Sequence, residues 1–100
     1  MTSRERRLIQ SFANRATEAV YRGQRPKGFP AEIFAAARRK LAYLDQARDL
    51  NDLRAPPGNR LHALLHDRAG QHAIRVNDQY RICFRWTEAG PAEVEIVDYH

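Results

Sequence analysis

From residue 60 onward, apolar and polar positions alternate. RLHALLH, HAIRVN, YRICFRW and EVEIVDY each send every second side chain to one side, the mark of a half-buried strand. DRAG, DQ and EAGPA lie between them, short enough for tight connections. The first half of the chain has a longer period. Ile33, Ala37, Leu41 and Leu44 recur at helical spacing behind Pro30, which suits a first helical turn because its missing N–H would have had no partner there. Glu32 complements the positive end of that helix. Arg38, Arg39 and Lys40 read as its solvated face, with aliphatic stems along the core edge. A shorter helix is predicted over 13–22 from Ala13, Ala16 and Val20, ended by Gly23. GQRPKGFP is then a loop exposing Arg25 and Lys27, LIQSF at 8–12 reads as a short strand, and DLNDLRAPPGN closes the helical half with a turn and a rigid proline pair. The whole predicts an α+β domain: two helices on one face of a mainly antiparallel sheet of four or five strands, its other face open.

Alternation also sorts the arginines. Tyr80, Ile82, Phe84 and Trp86 share the face that belongs under the helices, which leaves Arg81, Cys83 and Arg85 on the other. With Ile74 and Val76 inward, Ala73, Arg75 and Asn77 join them. Like charges on adjacent strands repel unless something anionic lies over them, so the open face reads as a phosphate cradle. A plain rival is that Arg75 and Arg81 pair with Glu93, Glu95 or Asp98 on the last strand.

Composition narrows the setting. One hundred residues make one domain, here 8–100 behind a basic extension at 1–7, MTSRERR, that is expected to be mobile. Formal charge is +5, and only Lys27 and Lys40 of the seventeen cations are lysines. Arginine favours bidentate phosphate or carboxylate contacts over diffuse attraction. Residues 1–54 hold twelve cations against six acids and 55–100 hold five against six, so the sheet half is no bulk polycation and its arginines look placed. A lone Cys83 cannot close an internal disulfide, which suits a reducing compartment. With no membrane-length apolar run and no signal-peptide core, the expected location is the cytoplasm.

Proton carriers complete the picture. The chain ends Asp98, Tyr99, His100, and His62, His66 and His72 precede the arginine hairpin. Cleaving RNA through its own 2′-hydroxyl needs a base for that hydroxyl, cations for the phosphorane and an acid for the leaving oxygen. Histidine, tyrosine and arginine supply all three, and neither a metal ligand set nor a glycine-rich cofactor loop is apparent.

RKLAYLDQARDLNDLRAPPGNRL, DRAGQHAIRVNDQYRICF and VEIVDYH resemble the HigB branch of the RelE/ParE toxin superfamily, from about Ile9 to His100. The resemblance implies a microbial-ribonuclease-like fold and a metal-independent endoribonuclease that cuts messenger RNA on the ribosome. It also implies a HigA-like helix-turn-helix antitoxin that silences the toxin and is its only route to operator DNA. Carried over by position, it makes Arg81 the cation on the scissile phosphate and Asp98, Tyr99 and His100 the groups that orient and move protons. His62 and Arg75 fall on further functional positions, and Arg60, Arg68 and Arg85 are expected to hold RNA. Many members read LKGDR where this chain has LLHDR, so Leu65 replaces a lysine that Arg68 could stand in for. Two other functions suit the same fold: a ParE-like poison that binds a topoisomerase without nuclease chemistry, and a noncatalytic RNA-binding domain.

Overall fold

In a computed structural model, which describes residues 8–99, two helices lead into a four-stranded sheet. Helix α1 spans Arg15–Tyr21 and α2 spans Ala31–Gln46; the strands are β1 His62–Ala63, β2 His72–Arg75, β3 Tyr80–Thr87 and β4 Gly90–Asp98. They lie in chain order and every neighbouring pair is antiparallel. The α+β class and the meander therefore hold. The extension at 1–7 and His100 lie outside the described residues.

Local chemistry sets the boundaries. Asn14 starts α1 two residues later than periodicity suggests, because its side chain accepts the Thr17 N–H at 2.8 Å as a helix cap. In α2 the predicted stripe of Ile33, Ala37, Leu41 and Leu44 is buried, and it packs with Val20, Leu53, Ile74, Ile82, Phe84 and Val94 as the main core. Lys40 corrects the expectation for the charged run: it lies on this same stripe and is only 7% exposed. Its ammonium donates to Asn59 Oδ1 at 2.5 Å. Asn59, fully buried, donates in turn to the carbonyls of Leu53 at 3.1 Å and Ala55 at 3.2 Å. Burial lowers the Lys40 pKa, and Arg39 and Arg75 push it the same way. This polar knot ties two 3-10 turns, Leu50–Arg54 and Pro57–Asn59, to α2 where the sequence suggested only a simple turn.

The sheet departs from expectation in three places. Segment 8–12 is no regular strand; it lies along β4 through a single parallel bridge, Phe12 to Val94, flanked by Gln10 N–H to Pro91 O at 2.8 Å and Val94 N–H to Ser11 O at 3.1 Å. Strand β1 keeps two residues of the seven predicted, since the chain turns at His66–Arg68, where His66 takes a positive φ of 58°. A β-bulge shifts the β3–β4 register: Cys83 faces Glu95, but Arg85 faces Ala92. The extra residue, near Glu93 at φ 55°, brings Pro91 opposite Trp86 on the helix side.

Candidate active site

The face away from the helices is not fully open, as had been expected. Leu64 folds over Ala73 and Cys83, both fully buried, with Val97 beside them. This apolar floor pushes the Cys83 thiol pKa up through burial, against the pull of Arg68. A thiol so placed stays protonated and unreactive.

Over that floor the strands present two rows of side chains. One row is Arg75, Arg81 and Val97; the other is His62, Ala73, Cys83 and Glu95. Arg75 and Arg81 stand directly opposite each other. The neighbouring Val76 N–H bonds Tyr80 O at 3.0 Å, so the arginines form the closer, non-bonded kind of pair, with Cα atoms about 4.5 Å apart. Val97, not an acid, completes their row. The expected rival pairing with β4 is therefore not what holds them.

What holds them is the turn joining β2 to β3. Asn77 accepts the backbone N–H groups of Gln79 at 2.9 Å and Tyr80 at 2.8 Å through its side chain, and its own carbonyl accepts from Arg81. Asp78 pairs with Arg75 from an almost wholly exposed position. Arg81 also donates to Tyr80 O at 3.1 Å and lies over the Tyr99 ring, 5.6 Å from its centroid, within cation–π range. Gln79 reaches the chain's end: its amide donates to both Asp98 oxygens at 3.2 Å, and its carbonyl accepts the Tyr99 N–H at 2.6 Å. One turn thus gathers Arg75, Arg81, Asp98 and Tyr99. The sequence singled out those four but missed the scaffold, though Asn-Asp between alternating segments was the available signal.

The remaining candidates spread around this group. His62 is two strands from Arg81 and two residues along, roughly 12 Å between Cα atoms from standard strand spacing. Its Nδ1 meets the Arg60 carbonyl at 2.8 Å. A carbonyl only accepts, so Nδ1 is the donor here, and in the neutral ring the lone pair lies on Nε2. Arg60 itself is exposed in a left-handed conformation, φ 49°. Arg68 pairs with Glu95 at 3.1 Å and Gln71 at 3.1 Å, and Arg85 with Glu93 at 3.6 Å and the Gly70 carbonyl at 3.4 Å. These two, rather than Arg75 and Arg81, take the β4 acids. Leu65 is 72% exposed and His66 is exposed in its turn. His72 faces the helices, stacked on Phe84.

Residues 10–100 match the family described as the RelE-like toxin of type II toxin-antitoxin system HigB. The chain belongs to this HigB-like family. Among its relatives is Toxin HigB-1 of Vibrio cholerae serotype O1, 41% identical over 82 residues, which span 81% of this chain and 86% of that protein. An uncharacterized protein of Haemophilus influenzae is 35% identical over 57 residues, 57% of this chain and 56% of the other. As a HigB-like toxin of a type II system, the protein has an antitoxin for a partner. Among the described residues, no helix is long and apolar enough to cross a membrane.

Proposed function

We propose that this toxin cuts messenger RNA while the message is held on the ribosome, in the cytoplasm, and that a HigA-like helix-turn-helix antitoxin restrains it and alone carries it to operator DNA. The observation that carries this reading is the opposed pair Arg75 and Arg81, fixed by the Asn77–Gln79 turn beside Asp98 and Tyr99.

In this mechanism the RNA 2′-oxygen attacks the adjacent phosphorus as its proton passes to a base. His62 Nε2, free because Nδ1 is engaged by Arg60, takes that role. Charge building on the phosphorane is met by the two guanidinium groups, with Arg81 foremost. The 5′-oxygen leaves with a proton from the Tyr99–His100 end of the chain, while Asp98 orients that end. Products are a 2′,3′-cyclic phosphate and a 5′-hydroxyl. Arg60, Arg68 and Arg85 hold the flanking backbone, the last two by exchanging Glu95 and Glu93 for phosphate. Few strong acid–base groups suffice when another machine positions the substrate.

The test is to induce the chain and map new 5′ ends on messenger RNA. Wild type yields 5′-hydroxyl ends and growth arrest; Arg81→Ala loses both, by about 100-fold or more in cleavage rate. Unchanged cleavage in that variant overturns the mechanism.

A further inference from the structure

Beside β1, at the edge of the sheet, lies a cavity of about 330 Å³ of whose lining the mechanism above uses His62 alone. Leu50 and Leu61 give it apolar walls; Asn51, Arg54, His62 and His72 give it polar groups. Its size and its mix of apolar surface with a few polar atoms fit a small-molecule pocket, for which about 300–1,000 Å³ is usual. His62 belongs both to this lining and to the row of side chains next to that of Arg75 and Arg81, on the same face of the sheet. The cavity therefore opens beside the candidate base.

Three features say what it would take. The Arg54 Nε donates to Asn51 Oδ1 at 2.7 Å, which braces both side chains and leaves the Asn51 amide N–H groups and the outer Arg54 N–H groups for another partner. His72 contributes to the lining, while its Nδ1 is buried away from the accessible surface and has no hydrogen bond among the described residues. Burial, reinforced by His62 and Arg54, also lowers the His72 pKa and keeps its ring neutral, able to accept at one nitrogen and donate at the other. A site made for a bare anion would gather cations, whereas this one offers a single guanidinium, an amide, a neutral imidazole and leucine walls. That is the complement of a flat heterocycle with ring-nitrogen and carbonyl acceptors on its edge.

We propose that this edge cavity receives the base of a nucleotide adjoining the cleaved linkage, read by Arg54, Asn51 and His72, and so sets where the toxin cuts. The proposal deepens the nuclease reading and rests on it for the role of the base, though not for binding itself.

Two measurements separate the two ideas. In the first, the purified toxin is titrated with the four nucleoside 5′-monophosphates, with ribose 5-phosphate and inorganic phosphate as controls, while the ring C–H signals of His62 and His72 are followed by NMR. At least one nucleotide shifts His72 at concentrations where both controls leave it unmoved, and Arg54→Gln weakens that binding about tenfold. Equal shifts with ribose 5-phosphate, or none at all, overturn the proposal. In the second, cut sites of wild type and Arg54→Gln are compared across a transcriptome. Wild type shows a base preference at a fixed offset from the cut, and the variant flattens it. Both Arg54 and Asn51 are exposed, so these changes leave the core intact. An identical preference in wild type and variant overturns the assignment. Nucleotide binding without any RNA cleavage would leave the pocket standing and sink the nuclease reading instead.

Discussion

The two faces of one sheet are built on opposite terms. Toward the helices, Ile74, Val76, Ile82 and Phe84 sink into a core shared with α1 and α2. On the other side a floor of Leu64, Ala73 and Cys83 carries a surface of arginines, a histidine and a tyrosine held by hydrogen bonds from turns. A small domain has little free energy to spare, about 5–15 kcal/mol in all. Concentrating burial on one face leaves the other able to hold two guanidinium groups side by side, an arrangement that costs stability and is useful only to something negatively charged.

Substitutions should divide along this line, and the largest effect belongs to the helix face. Phe84→Ala removes a fully buried ring and should cost about 3–5 kcal/mol, read as a drop in the urea midpoint of unfolding. Next comes the one ammonium set among the apolar side chains of that face. Asn59→Ala takes away the acceptor of Lys40 and should cost about 2–4 kcal/mol. Adding Lys40→Met should recover much of the loss, because no stranded charge remains; a double variant as unstable as the single one would show that the amide's bonds to Leu53 and Ala55 matter more than the ammonium. On the opposite face Arg81→Ala should change the midpoint by no more than about 1 kcal/mol while cleavage collapses. An unfolded Arg81→Ala protein would erase the division between faces.

The smallest effect sharpens the comparison at their shared edge. His72 is held below the usual histidine pKa of about 6.5 by burial, then by His62 and Arg54, so the unfolded chain takes up a proton before the folded one does. Stability is therefore complete above about pH 6.5 and declines as pH falls from there toward the folded-state value. Urea midpoints at about pH 7.5 and pH 5.5 should fall further apart in wild type than in His72→Phe, which keeps a ring against Phe84. Equal gaps in both proteins would remove His72 from the account.

How far the sequence reached follows the same division. Period alone gave the stripe of α2 and the sorting of residues 74–86 between faces, because burial writes itself into spacing. Lys40 lies three residues beyond Ala37 on that stripe, but its charge suggested solvent, and its burial is explained by Asn59, nineteen residues away, and the Tyr43 ring. Partners across the sheet were less legible. The acids Glu93 and Glu95 pair with Arg85 and Arg68, since register sets Val97 opposite Arg81 and a bulge moves Ala92 opposite Arg85. Alternation fixes the face a side chain takes but not which residue of that face lies opposite it. Strand β1 was overdrawn because His66 turns the chain at a positive φ that no glycine announces. The resemblance to HigB toxins picked out Arg75, Arg81, Asp98 and Tyr99, while the turn that assembles them emerged only in three dimensions.

That turn makes the toxin easy to disarm by accident. Asn77, Asp78 and Gln79 occupy nine consecutive nucleotides of the gene and between them touch both guanidinium groups, Asp98 and Tyr99. On the proposed mechanism, a cell that loses its antitoxin should survive by a single missense change there, with a folded and abundant but harmless protein left behind, so survivors of forced expression should cluster at those codons as well as at the arginines themselves.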